Sequence, residues 1–176
     1  LLFFFASSVV YFQNFFKTYN LSIDPAIFTL FGVALAIFLG FRNNVSYERW
    51  WEGRKLWGAL LNDSRSIARQ AHSLIASDNY EIQRTNLINT LIATVHSLRH
   101  QLRFTNSEAD LKRLLGKEAC AKVSNAQFQP IMLLQMMADQ IKDVKKENRI
   151  TSIEQLAFEE NFNKVSDIIG GCERIA

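Results

Sequence analysis

From Pro25 to Phe41 the chain runs seventeen residues without a charge, with Thr29 its only polar member, and at Arg42 it passes into a charged, Trp-containing run that has no proline to stop a helix. At 1.5 Å per residue such a run makes a helix of about 25 Å, the short end of what a hydrocarbon core requires. That length alone also fits a core helix of a soluble protein. Leu1 to Phe12, reading LLFFFASSVVYF, is a second uncharged segment, apolar from its first residue. A signal peptide has a charged start and one apolar core, with no second apolar run about fifteen residues later. Phe and Leu fall on every side of both segments, so neither has a polar face to turn to water. The pair predicts a transmembrane hairpin over residues 1–41, its first helix truncated at its start and its second helix spanning 25–41.

The apolar fraction is 48%, and only 2 prolines and 7 glycines stand among 176 residues, which predicts an all-α fold of long helices. The net charge of +3 comes without a Lys/Arg cluster interleaved with aromatics, so a nucleic-acid reader is excluded. Residues 13–24 form a polar connection with one basic residue, Lys17, whereas Arg42, Arg49, Arg54 and Lys55 follow the second apolar run closely. The positive-inside bias therefore places residues 42–176 in the cytosol and the connection outside. Cys120 and Cys172 have no metal or redox spacing and read as reduced, structural residues.

Beyond the apolar runs the periodicity is helical. Residues 44–76 carry Trp50, Trp57, Leu60, Leu61, Ile67, Ala68, Ala71, Leu74 and Ile75 on one stripe, and Ser77, Asp78 and Asn79 make a turn. Glu81 to Phe104 places Ile88, Leu91, Val95, Leu98 and Leu102 on a core face. A shorter helix is expected from Ser107 to Lys122 with Asp110 as the acidic partner of its cap. The next begins near Phe128, has Pro130 in its first turn, and buries Ile131, Leu134, Met137, Ile141 and Val144. The last opens at Thr151 or Ser152 with Glu154 or Gln155 completing a capping box, and buries Phe158, Phe162, Val165, Ile169 and Cys172. Both ends of the chain break into a pattern, as in a fragment of a protein with more membrane helices.

No phosphate loop, paired-carboxylate site, activated nucleophile or dinucleotide turn is present, so no catalytic residue, no cofactor and no enzymatic activity are expected. His96 and His100 stand at i and i+4, a metal-ligand spacing, but Arg99 and Arg103 share their face and repel a cation; no metal is expected there. Trp50, Trp51 and Trp57, with Arg49 beside them, fit an interfacial belt just past a bilayer; the other reading is direct substrate contact. In the second apolar run Gly32, Ala36 and Gly40 make a small-residue stripe that lets helices approach closely. Val33, Ile37 and Phe41 make a bulky row beside it, each step turning about 40° and climbing about 6 Å. By pattern alone that row faces lipid or a neighbouring helix.

The stretch Leu39 to Gly58, LGFRNNVSYERWWEGRKLWG, resembles the bestrophin family of membrane channels, its bacterial members in particular. There a Gly-Phe pair is followed after seven residues by Arg-Trp-Trp, as Gly40-Phe41 is here by Arg49-Trp50-Trp51. The likeness extends more weakly through His96 to Arg103 and on to Gly170-Gly171-Cys172-Glu173-Arg174, which looks like the approach to the family's third membrane helix. It implies a homopentameric ion channel of a bacterial inner membrane, with four membrane helices per subunit and a large cytosolic helical region. Its partners would be other copies of itself, the lipid bilayer and permeant ions. The family's hydrophobic neck, three residues spaced by four, falls by position on Val33, Ile37 and Phe41. Animal members conduct anions and bacterial relatives monovalent cations. The exit aperture, the calcium clasp and the later membrane helices would lie beyond Ala176. The rival readings are a membrane-anchored sensor or enzyme that uses the His96, Arg99, His100 and Arg103 face, and a purely structural membrane oligomer.

Overall fold

A computed structural model describes residues 2–18, 25–75 and 80–176, with side chains over 3–12 of its first helix. The turn expected at Ser77, Asp78 and Asn79 and the side chain of Lys17 lie outside the described residues. The described residues form α1 (Leu2–Thr18), α2 (Pro25–Leu74), α3 (Glu81–Leu102), α4 (Glu108–Ser124), α5 (Gln129–Lys146) and α6 (Ser152–Ile175), and no strand occurs among them. The all-α expectation holds. The chain divides into two units, Leu1–Glu48 and Arg49–Ala176.

In the first unit α1 continues to Thr18, so Gln13 to Thr18 is helix where the sequence suggested connection. The run QNFFKT contains no Gly or Pro, and Phe15 and Phe16 prolong the apolar pattern, so nothing local ends the helix at Phe12. The apolar part of α2 passes Phe41 and Arg42 without interruption. Thr29 and Ser46 return their hydroxyls to the carbonyls of Pro25 and Arg42, at 3.2 and 3.1 Å, which satisfies both side chains within the helix itself.

The second unit is a bundle with one main core. Leu60, Ile67 and Ala71 of α2, with Ile75 just past its end, pack with Leu87, Leu91 and Leu98 of α3, Met137 and Ile141 of α5, and Phe158, Val165, Ile169 and Cys172 of α6. The stripe read for α2 needs correction at its start, since Trp50, Trp57 and Leu61 are exposed and inward packing begins with Leu56 and Leu60. The approach of α6 to α2 is close enough that a Cβ at Gly171 would lie 2.9 Å from Leu56 Cδ2, so glycine is required there unless Leu56 moves. Nearby, the buried Asn161 Nδ2 donates to Gln70 Oε1 at 2.9 Å and ties the two helices by a polar contact inside an apolar seam.

α3 is the central helix and is buried more widely than its apolar stripe implied. Thr90, Thr94 and Ser97 are buried alongside the leucines. Thr90 and Thr94 donate to the carbonyls of Asn86 and Thr90, at 2.8 and 2.9 Å, and the hydroxyls enter the core without losing a partner. α4 is interrupted at Gly116, whose φ of 81° only glycine adopts without cost; the chain folds back there, and Cys120 Sγ lies 3.7 Å from the Glu108 carbonyl. A small second core of Ala93, Leu111, Cys120, Val123 and Leu133 closes beneath that fold.

α5 and α6 follow the sequence closely. Pro130 stands in the first turn of α5, and Leu134, Met137, Ile141 and Val144 are buried, while Ile131 is exposed. At α6 Thr151 accepts from the Glu154 backbone at 3.2 Å and Glu154 accepts from the Thr151 backbone at 2.7 Å, a complete capping box. All five residues read as its apolar stripe are buried.

Two helices end in the same hydrogen-bond pattern. After α5, Arg149 N bonds to Val144 O and Asn148 N to Lys145 O; after α3, Thr105 N bonds to His100 O and Phe104 N to Gln101 O. Each pattern needs one residue in the left-handed region, filled by Asn148 at φ 56° and by Phe104 at φ 53°. Asparagine is at home there. Phenylalanine is not, and ordinarily costs about 1–2 kcal/mol.

Candidate functional site

The row Val33, Ile37 and Phe41 lies on the apolar part of α2, with 54%, 56% and 69% of each residue exposed. The adjoining small stripe is equally open. A Cβ built at Gly32 or Gly40 meets nothing within 4 Å, and Ala36 is exposed as well. From Pro25 to Trp51 every residue is exposed, so burial among the described residues favours no face of this segment. By length and composition it is the one described helix able to cross a membrane, while Phe3–Phe12 is a shorter apolar stretch.

Arg49, Trp50 and Trp51 open the second unit. Arg49 Nη2 donates to the carbonyls of Ile175 and Ala176 at 2.7 and 3.3 Å. Arg174 pairs with Glu52 on the same seam. The indoles of Trp50 and Trp51 are exposed, with ring centroids 6.1 Å apart and planes tilted by 35°.

His96, Arg99 and His100 converge on Asp110, the acid expected in the cap of α4. Asp110 Oδ2 lies 2.9 Å from His96 Nδ1, 2.9 Å from Arg99 Nη2 and 3.2 Å from His100 Nε2, and Arg113 Nη2 lies 3.4 Å from Oδ1. Ser107 makes no side-chain cap, so the capping role expected of Asp110 is not observed. Bonds to charged donors are stronger than a cap on a backbone amide. Asn106 Oδ1 takes the Glu108 amide instead, at 2.8 Å. Arg103 is exposed and stands apart from the cluster.

The His100 hydrogen bond is the largest influence on Asp110; with the charge and hydrogen bond of His96 and the hydrogen bond of Arg113 it outweighs burial and brings the carboxyl to about 2. His100 Nε2 also lies 2.8 Å from Arg99 Nη2, and its Nδ1 lies 2.7 Å from Thr105 Oγ1. One ring nitrogen cannot donate to Asp110 and accept from Arg99 together. The two tautomers therefore divide these bonds between them. Among the described residues no group of three His, Cys, Asp or Glu is arranged to hold a metal ion. The signal for this cluster was charge imbalance: between residues 96 and 113 two histidines, Arg99, Arg103, Lys112 and Arg113 face only Glu108 and Asp110.

The cluster yields a pH dependence with a definite sign. Between the lowered folded value, about 2, and the ordinary 3.8, the unfolded chain binds more protons at this group than the folded one does. The contribution of Asp110 is thus present in full above that window and lost as pH falls through it. In thermal melts of the full-length protein in detergent, the parent should lose stability more steeply than Asp110→Asn on acidification through this window. The variant should already melt lower at neutral pH. Parallel acid titrations of the two would remove Asp110 from this role.

An exposed apolar helical segment and a polar-surfaced helical bundle define the class, an all-α membrane protein. A family model described as Bacterial/Fungal Bestrophin protein matches residues 1–176, and the chain belongs to that family. It is 42% identical over 158 residues to the voltage-dependent anion channel-forming protein RSc3414 of Ralstonia nicotianae, covering 90% of this chain and 51% of that one. To the voltage-dependent anion channel-forming protein YneE of Escherichia coli it is 31% identical over 174 residues, 99% of this chain and 56% of the relative. A crystal structure of a bacterial bestrophin homolog from Klebsiella pneumoniae superposes with a TM-score of 0.87 at 30% identity, covering 94% of this chain and 61% of the crystallised one. The chain thus spans between half and two thirds of the length of these relatives.

Proposed function

We propose that the chain is part of a subunit of a homopentameric channel that passes ions down their gradient through a central pore, with Val33, Ile37 and Phe41 forming its apolar neck. The observation that carries this reading is the family match along the whole chain, joined by relatives whose names describe channel-forming proteins and not enzymes. In this reading residues 1–41 form a membrane hairpin in a bacterial inner membrane, and 42–176 lie in the cytosol and lead to a third membrane helix. The exposed small stripe and exposed bulky row of α2 are what a helix shared among copies would present: one row for close approach, the other for the axis.

The relatives' names specify anions, whereas the bacterial bestrophins that the sequence resembles pass monovalent cations. An apolar neck selects neither, because charged rings or carbonyl dipoles set ion sign. Planar-bilayer recording of the purified full-length protein tests the proposal. Unitary currents are expected, and reversal potentials under ion substitution assign the sign. Silent bilayers containing correctly assembled protein would remove the channel reading.

Assembly can be tested apart from conduction. A Cβ at Gly32 or Gly40 meets nothing within 4 Å among the described residues, so Gly32→Leu and Gly40→Leu probe contacts made beyond them. Native mass spectrometry should show a pentamer for the parent and mostly smaller species for both variants. Intact pentamers in both would move the interface off this stripe.

A further inference from the structure

At one end of the bundle Arg49 meets the Ile175 carbonyl, Arg174 meets Glu52, and Gln101 Nε2 meets Glu173 Oε1. The Ser97 and Ser107 hydroxyls both donate to Gln129 Oε1, at 3.3 and 2.6 Å, which brings the starts of α4 and α5 to the same end as the close of α3. Arg49 is the first residue of this unit, so this is the end to which the apolar run of α2 is joined.

At the corner between α3 and α4, Phe104 occupies a left-handed position that favours Gly or Asn, yet its side chain packs on nothing and the residue is 95% exposed. The corner is stiff. Phe104 N and Thr105 N are bonded back into α3, and Thr105 Oγ1 is held 2.7 Å from His100 Nδ1. Arg103 beside it is exposed, and at the same end Phe128, Trp50 and Trp51 are exposed. A phenyl ring held out to solvent on strained backbone contributes nothing to the packing of the described residues. Aromatic rings with neighbouring arginines are the chemistry of the membrane–water boundary, where the ring enters the acyl edge and the guanidinium meets lipid phosphate.

We propose that the Arg103–Phe104 corner is a bilayer contact: Phe104 inserts at the headgroup–acyl boundary of the membrane and Arg103 binds lipid phosphate, fixing this end of the bundle against the lipid surface. The inference rests on the membrane reading above, and adds to it a contact outside the apolar segments. Continuity with the apolar run of α2, together with basic charge beside the ring, selects lipid over a second copy of the chain as the occupant.

The test places a nitroxide on Phe104→Cys, Phe38→Cys or Ile153→Cys in a cysteine-free background of the full-length protein, in vesicles of phosphatidylcholine and phosphatidylglycerol. Collision with oxygen reports lipid, and collision with a water-soluble nickel chelate reports solvent. The label at 104 should be excluded from nickel as at 38, with an oxygen-to-nickel ratio several-fold above that at exposed Ile153. A solvent-like label at 104 with 38 still excluded from nickel overturns the proposal and leaves the membrane reading standing. A label at 104 shielded from both reagents also overturns it, in favour of a contact with protein. A solvent-like label at 38 removes both. Phe104→Gly, which relieves the left-handed strain, should melt in detergent at or above the parent's temperature; a lower melting point would assign the ring to the fold and count against the proposal.

Discussion

Bilayer currents from Ile37→Ala and Phe41→Ala variants of the full-length protein are expected to exceed those of the parent, per pentamer, by on the order of tenfold, the factor that about 1.4 kcal/mol off a barrier represents. A narrow ring of bulky apolar side chains holds water poorly, so an ion crossing it is partly stripped of hydration. Three such rings two helical steps deep, from Val33 to Phe41, would form a throat about 12 Å long. Truncating the middle or inner ring widens and wets it, and because no charge is removed the reversal potential should stay near that of the parent. Leu35 and Phe38 are as exposed as the proposed lining residues but point elsewhere around the helix. Their alanine variants should conduct as the parent does. The reverse outcome, with altered currents at 35 and 38 and parental currents at 33, 37 and 41, would mean that another row of α2 lines the pore.

The second large effect is one of stability. Phe158→Ala should destabilise the bundle by about 3–5 kcal/mol, the cost of losing an aromatic ring from a core that cannot collapse around the space. Phe158 is 0% exposed and packs beside Phe162, with ring centroids 6.2 Å apart. It belongs to the main core, which α2, α3, α5 and α6 build together. Ile153→Ala, on the same helix but almost fully exposed, should stay within about 0.5 kcal/mol of the parent. Denaturant unfolding followed by the near-ultraviolet signal of the tryptophans compares the two. A loss below that of an ordinary surface substitution at position 158 would show that the core relaxes there.

Where structure depends on neighbours in the chain, the sequence was readable. α6 is the clearest case: Thr151 and Glu154 mark its start, and a single stripe from Phe158 to Cys172 marks its buried side. α3 was harder because it packs against α4, α5 and α6, and a helix covered on several sides has no one apolar stripe to find. Its Thr90 and Thr94 look polar by letter, yet enter the core by returning their hydroxyls to the preceding turn. The break in α4 rests on Gly116 alone, one glycine in a run that otherwise favours helix. Asp110 was misassigned because its partners lie across the α3–α4 corner, whereas the residue three positions before it offered a plausible local role. For the candidate neck, spacing picks out the row, and the role proposed for it comes from the family resemblance. The face it presents is not chosen among the described residues, since every residue of that segment is exposed there.

Cys172 lies in the main core, and burial, with the Glu173 carboxylate beside it, pushes its thiol up from the ordinary value. Since only the thiolate attacks an alkylating reagent, the native position is nearly inert, and modification waits on an excursion that lifts this part of α6 from α2. Cys172 is therefore a built-in clock: in excess reagent, its rate of alkylation counts how often the seam at Gly171 and Leu56 opens.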